Sequence, residues 1–173
     1  MPEYVFIIVT ADDCPHCLAL KNDKKKFDDI YNIASMYPNI VQSIYIPLDR
    51  MNGKLPDAVI PRQIRYYMQY FPGFFLVELE SWNKCIVNSN LHHYNLDIDI
   101  YGIKVIKNEI PGKKNEYEIN LQPVGNNPLL PESIDNWVKL KISNNNNNNS
   151  NNSTNLVCED NTSYIVCRRK KRF

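Results

Sequence analysis

A short run of apolar and β-branched residues near the start of the chain constrains the fold more than any other feature. Residues 4–10 read Tyr-Val-Phe-Ile-Ile-Val-Thr, without the polar alternation of a half-exposed strand. Such a run predicts a strand buried on both faces, as in the middle of a parallel or mixed sheet. A helix is predicted over residues 18–36, because Phe27, Ile30, Tyr31 and Ala34 have the spacing of one buried stripe. A second strand over 43–48 would complete a βαβ unit with a parallel connection.

Further elements are predicted downstream. Residues 61–70 are expected to form a short helix and residues 74–79 a third strand. The segment 80–123 contains three β-like pieces, at 85–87, 98–106 and 116–121, and Pro111-Gly112-Lys113 supplies a turn for a hairpin between the last two. A closing helix is expected over 131–140, with Ile134 and Val138 on its buried side.

Composition and charge restrict the classes of function. The 173 residues are 43% hydrophobic and 23% charged, which suits one domain with a tail. The net charge is +1, and five of the 20 basic residues lie in the run 168–172, so a generally basic nucleic-acid binder is not expected. The longest clean apolar run, 5–9, is far shorter than the roughly 20 residues of a membrane helix. No secretory signal is recognisable, which favours a cytoplasmic location without a membrane partner.

The chain changes character near residue 143. Residues 144–155 comprise nine Asn, two Ser and one Thr. We therefore predict a domain over 1–142, an Asn-rich disordered linker over 143–155 and a cysteine-containing basic tail over 156–173. The whole chain has 24 Asn and 19 Ile, which is typical of an AT-rich genome. A large DNA virus that assembles in the cytoplasm and packages redox proteins in its particle is one hypothesis for the source.

The Cys14-Pro15-His16-Cys17 motif follows the first strand and opens the predicted helix. Asp13 is a suitable N-cap, and proline fits the first helical turn. The first sulfur would lie at the helix N-terminus, where unpaired N–H groups and the helix dipole favour the thiolate. The second sulfur would lie one turn further along, within reach of a small disulfide ring. Cys14 is thus predicted to be the nucleophile and Cys17 the resolving thiol.

The residues around the two cysteines would tune the pair. Pro15 stiffens the turn. The imidazole of His16, protonated part of the time, would stabilise the thiolate and make the disulfide more oxidising. The carboxylates of Asp12 and Asp13 would oppose that effect. The residues alone leave the balance open.

Residues 10–17 resemble the active site of the thioredoxin superfamily, and Pro-His is the dipeptide found in its periplasmic disulfide oxidases. Residues 70–77, Tyr-Phe-Pro-Gly-Phe-Phe-Leu-Val, resemble the cis-proline loop of that superfamily and the strand after it. The resemblance implies that Pro72 is cis and packs against the disulfide, and that the Phe71 backbone pairs with an incoming peptide. The implied fold is α/β: a thioredoxin-like central mixed sheet flanked by helices, N-terminally truncated, with an extended β region after the cis-proline strand and a disordered C-terminal tail.

The chain departs from that family at three places. Asp13 stands where thioredoxins have a tryptophan. The tight hairpin after the cis-proline strand is replaced by a longer segment, and the Gly-Gly-acidic signature of a glutathione site is absent after Phe74. These departures leave the subfamily open.

We expect a thiol–disulfide oxidoreductase acting on protein dithiols and disulfides, with an unidentified recycling partner. No metal is implied, and no cofactor besides the Cys14–Cys17 pair. One alternative is a redox-inactive thioredoxin-like binding or structural protein. Another is a zinc site completed by Cys158 and Cys167, although structural zinc usually uses two tightly spaced pairs. Those tail cysteines also fit free thiols, a tail disulfide or a shuttle to the first pair.

Overall fold

A six-stranded open sheet with helices against both faces forms the body of the protein. The computed structural model describes residues 3–50, 61–88, 91–150, 156–161 and 164–169, with side chains described through residue 144. The strands of the sheet are β1 (Tyr4–Ala11), β2 (Ile40–Leu48), β3 (Gly73–Glu78), β4 (Ile98–Ile100), β5 (Ile103–Glu109) and β6 (Tyr117–Pro123). The helices are α1 (Pro15–Asn22), α2 (Lys24–Asn32), α3 (Arg62–Arg65), α4 (Leu79–Val87) and α5 (Pro131–Ser150). Two further strands, β7 (Leu156–Asn161) and β8 (Tyr164–Arg169), form a separate two-stranded sheet.

The strand order of the large sheet is β2-β1-β3-β4-β5-β6. β1 and β2 run parallel and are connected through α1 and α2, which confirms the predicted βαβ unit. The remaining neighbours pair antiparallel. The predicted hairpin is confirmed, since β5 pairs with β6 from Ile103↔Pro123 to Glu109↔Tyr117. The predicted strand over 98–106 is wrong in its continuity, because a turn at residues 101–102 divides it into β4 and β5. Because β1 and β2 are parallel, their carboxyl ends meet at one edge of the sheet.

β1 supplies the centre of the core on both faces of the sheet. All eight of its residues are buried, as the apolar run predicts. Val5, Ile7 and Val9 pack on one face with residues of α3 and α4, among them Ile64 and Trp82. On the other face the alternate residues of β1 pack with α2 and α5. The residues of that second cluster from β1, α2 and α5 include Tyr4, Phe6, Ile8, Ile30, Ile134 and Val138.

The predicted helix over 18–36 is divided into three pieces, so this prediction is wrong in its continuity. α1 ends at Asn22, α2 begins at Lys24, and a 3-10 turn, Ile33–Met36, completes the segment. Asp23 lies between the helices with φ −88° and ψ 80°, and its carboxylate accepts a hydrogen bond from the Lys26 N–H at 3.0 Å. Asp23 is therefore the N-cap of α2, and this local bond competes with a continuous helix.

Two predictions between residues 61 and 87 also need correction. The predicted helix over 61–70 is helical only as the single turn α3. The predicted β-like piece at 85–87 is the last turn of α4. Trp82 and Cys85 are buried at helical spacing, whereas Ile86 and Val87 are 60% and 86% exposed. Ile86 and Val87 are β-branched and favour a strand by composition, but the segment is helical because Trp82 and Cys85 pack in the core at helical spacing.

α5 begins at Pro131, as predicted, and buries Ile134 and Val138 completely. Its backbone continues past residue 140 to Ser150, so the first part of the Asn-rich segment is helical. Residues 151–155 lie outside the described residues, and the boundary at 142 and the disorder of the linker stay predictions. Within the described helices, none is both long enough and apolar enough to cross a membrane.

Candidate functional site

The two cysteines of the motif lie where β1 passes into α1. Cys14 is the N-cap of α1 and Pro15 takes the first helical position. The prediction that Asp13 caps the helix is therefore wrong by one residue. The Cys17 N–H donates a hydrogen bond to the Cys14 sulfur at 3.3 Å. The sulfur thus occupies the place of a capping oxygen, where the free N–H groups of the first turn point.

The two thiols differ in burial and therefore in chemistry. Cys14 is half-buried and open to solvent on one side, whereas the exposed fraction of Cys17 is 0%. Burial, together with a hydrogen bond to the side chain of Cys14, raises the pKa of the Cys17 thiol from 9.0 to about 12. Both cysteines are free thiols, so this is the reduced form of the pair. Cys14 is accessible to an incoming sulfur, and Cys17 is held as a protonated thiol behind it.

The loop before β3 brings a second part of the chain to Cys14. The peptide bond between Phe71 and Pro72 is cis, which confirms the isomer that the family resemblance implies. The Cys14 S–H donates a hydrogen bond to the carbonyl oxygen of Phe71 at 3.6 Å. The Phe71 main chain is therefore adjacent to the half-buried sulfur, although 57 residues separate the two in sequence. The remaining part of the docking prediction, that this backbone pairs with a peptide, stays a prediction.

Arg50 joins the site from the end of β2, and the sequence analysis missed it. Its backbone N–H donates to the carboxylate of Asp12 at 2.8 Å, and its Nε lies 3.4 Å from Oδ2 of Asp13. Its guanidinium lies 5.2 Å from the ring centroid of Phe71, in cation–π geometry. The guanidinium thus contacts both the Asp13 carboxylate and the ring of Phe71, the residue whose carbonyl contacts Cys14. The predicted parallel pair of strands indicates such a residue, because the residues that follow two adjacent parallel strands lie at the same edge of the sheet.

Pro15 and His16 lie exposed in the first turn of α1. Tuning of the pair by His16 stays a prediction. Cys85, the third free cysteine with a described side chain, is 4% exposed and packs with Val77 and Trp82. Burial raises the pKa of its thiol.

A cavity of about 240 Å³ opens beside the Phe71–Pro72 bond. Its wall combines that loop, the turn between β4 and β5, and the segment after β6. Aromatic and aliphatic side chains dominate the lining, among them Tyr67, Tyr70, Ile100 and Tyr101. The cavity lies next to the residue whose carbonyl contacts Cys14, so an apolar recess adjoins the two cysteines at Phe71.

No known protein family, curated protein or solved structure matches this chain. In the part of the chain with described side chains, no three His, Cys, Asp or Glu residues are grouped as metal ligands. The side chains of Cys158 and Cys167 lie outside that part, so zinc binding by four cysteines stays an untested alternative. The arrangement around Cys14 offers one accessible sulfur, one buried thiol a helical turn away, and a main-chain carbonyl beside them.

Proposed function

We propose that this protein is a thiol–disulfide oxidoreductase of thioredoxin type, acting on disulfides or dithiols of other proteins. One observation carries the proposal. The Cys14 sulfur accepts a hydrogen bond from the Cys17 N–H at 3.3 Å and lies 3.6 Å from the carbonyl oxygen of Phe71, the residue before a cis-proline. A half-buried sulfur, a buried thiol one helical turn away and the main chain of Phe71 thus meet at one place.

The reaction follows from the difference between the two thiols. Cys14, as the thiolate, attacks one sulfur of a substrate disulfide; a Cys14–substrate disulfide forms, and the other substrate sulfur leaves as a thiolate. Cys17 then loses its proton to that thiolate or to solvent and attacks the Cys14 sulfur. The Cys14–Cys17 disulfide forms, and the substrate leaves as a dithiol. Two electrons pass from the protein to the substrate, and the reverse sequence oxidises a substrate dithiol.

The raised pKa of Cys17 has a role in this order of events. At neutral pH a thiol with a pKa of about 12 is almost wholly protonated, so Cys17 does not compete with Cys14 for the substrate. Once Cys14 is bound in a mixed disulfide, the contribution of its thiol to that pKa is removed. Cys17 is then easier to deprotonate at the moment when it must attack.

The sheet order supports the family assignment. The four strands β2-β1-β3-β4, with the α1–α2 crossover and the closing helix α5, resemble the common core of thioredoxin-like folds. α4 and the β5–β6 hairpin are additions to that core. They lie after the cis-proline strand, in the segment where the sequence departs from the family.

A redox-inactive binding protein is the second candidate. The S–H of Cys14 donates to the Phe71 carbonyl at 3.6 Å, so the sulfur of the motif is in contact with the protein's own main chain. In this alternative, the apolar cavity beside Pro72 is retained for binding a polypeptide without exchange of disulfides.

Trapping of mixed disulfides separates the two candidates. In a background with Cys158→Ser and Cys167→Ser, the Cys17→Ser variant should accumulate mixed disulfides with a disulfide-bonded test protein, because the resolving thiol is missing. Cys14→Ser should accumulate none, and the buried control Cys85→Ala should behave as the parent. If Cys17→Ser and Cys14→Ser trap equally little, the binding function is favoured and the oxidoreductase is refuted.

A further inference from the structure

The two cysteines of the C-terminal segment face each other across a hairpin. β7 and β8 pair antiparallel, and Cys158 is the register partner of Cys167. The sequence pattern agrees with this pairing, because apolar and β-branched residues at 156–157 and 164–166 flank the polar stretch 159–163. Neither residue is part of the Cys14–Cys17 sequence motif. The pairing therefore bears on whether the thiols of Cys158 and Cys167 can form a disulfide with each other.

The register also fixes the type of pair that the cysteines occupy. Two residues, Thr162 and Ser163, separate the strands, so the closing pair Asn161↔Tyr164 is a hydrogen-bonded pair of the ladder. Pairs then alternate along the ladder, and the fourth pair from the turn, Cys158↔Cys167, is a non-hydrogen-bonded one. In such pairs the Cα atoms are about 4.5 Å apart and the Cβ atoms about 4.5–5.5 Å. A disulfide needs Cα atoms about 4.4–6.8 Å apart, which includes this spacing, and Cβ atoms about 3.5–4.5 Å apart, which the closer Cβ spacing of non-hydrogen-bonded pairs meets at about 4.5 Å.

We propose that Cys158 and Cys167 form an intramolecular disulfide across this hairpin, as a second dithiol–disulfide couple of the chain. A low-molecular-weight disulfide such as oxidised glutathione suffices as the oxidant. One cysteine thiolate attacks it and releases the first glutathione; the facing thiol attacks the mixed disulfide and releases the second. One S–S bond breaks and one forms, and two cysteine thiols lose their hydrogens to two glutathione thiols. The reaction does not depend on the function proposed for Cys14 and Cys17.

The test uses the full chain with Cys14→Ser, Cys17→Ser and Cys85→Ala, so that only the tail cysteines remain. The protein is equilibrated in a series of glutathione redox buffers, free thiols are blocked, and the chain is cleaved after Glu159, which lies between the two cysteines. A disulfide holds the two fragments together. The wild-type chain is mapped in parallel, so that the result does not depend on the folding of the triple variant.

A register control makes the outcome decisive. Val166→Cys combined with Cys167→Ser moves one sulfur by a single residue, to the opposite face of the hairpin. The facing pair should form its disulfide with an equilibrium constant at least about tenfold larger than the shifted pair, because only facing Cβ atoms meet the geometry of the bond. In a tail without the hairpin, the 158–167 and 158–166 loops differ by only one residue in length, so the two disulfides should form with nearly equal constants. Equal constants, or no 158–167 cross-link in the wild-type map, would overturn the proposal whatever the state of Cys14 and Cys17.

Discussion

Selective protection of Cys17 from alkylation is the prediction that most directly uses the geometry of the site. Its thiol is fully buried, and its pKa is raised from 9.0 to about 12. Each pKa unit lowers the thiolate fraction at neutral pH tenfold, so the fraction falls roughly a thousandfold below that of the unfolded chain. Iodoacetamide reacts with the thiolate. Cys17 in the folded, reduced protein should therefore react at least about a thousandfold more slowly than in denaturant at the same pH.

The assay is timed alkylation of the reduced protein at pH 7.5, with acid quenching, digestion and mass spectrometry of each cysteine peptide. Half-buried Cys14 should be modified well before Cys17, and buried Cys85 serves as an internal control of burial without a neighbouring thiol. In Cys14→Ser the rate at Cys17 should rise, because one cause of its raised pKa is removed while burial remains. A Cys17 rate within tenfold of its rate in denaturant would refute the assignment of Cys17 as a buried, protonated thiol.

Three further predictions concern the packing and the charges. Ile134→Ala should lower the free energy of unfolding in urea by about 2–5 kcal/mol, because this side chain is fully buried. Leu140→Ala on the same helix should lower it by under about 0.5 kcal/mol, because Leu140 is 62% exposed. Equal losses would contradict the packing of α5 against the sheet. Burial and a hydrogen bond raise the pKa of Tyr37 from 10.0 to about 12. The unfolded chain therefore loses the Tyr37 proton at a lower pH than the folded chain does. The free energy of unfolding should fall as the pH rises from about 10 to about 12, and Tyr37→Phe should make this fall shallower in urea titrations at alkaline pH. An unchanged dependence on pH would contradict the prediction. Arg50→Ala should lower the free energy of unfolding by under about 1 kcal/mol, because its ion pair with Asp13 at 3.4 Å is solvent-exposed, and the loss should shrink in high salt; a salt-independent loss would contradict it.

The sequence contains enough information for the centre of the fold. A fully apolar run such as residues 4–10 has one stable location, inside a sheet, and the amphipathic stripe after it requires a crossover helix. Pro72 was placed near Cys14 by resemblance to a family, not by residue pattern. Its cis bond agrees with the implied isomer.

Other features depend on long-range packing that no local pattern encodes. The helix at 79–87 forms because Trp82 and Cys85 fill a space under the sheet, although Ile86 and Val87 favour a strand. The break at Asp23 depends on one side-chain bond to Lys26. Arg50 became part of the site through two carboxylates 37 and 38 residues before it in sequence, a relation visible only after β1 and β2 are paired.

The central claim is that Cys14 and Cys17 form one reversible redox couple, and its reduction potential is the most direct test. The chain with Cys158→Ser and Cys167→Ser is equilibrated across a glutathione series, and the thiol and disulfide forms are counted by the mass shift on alkylation. We predict a single two-electron transition in which both thiols disappear together and return together on reduction. A separate mixed disulfide with glutathione at each cysteine, or no oxidation of Cys17 across the series, would contradict the claim and leave this protein as a binding module.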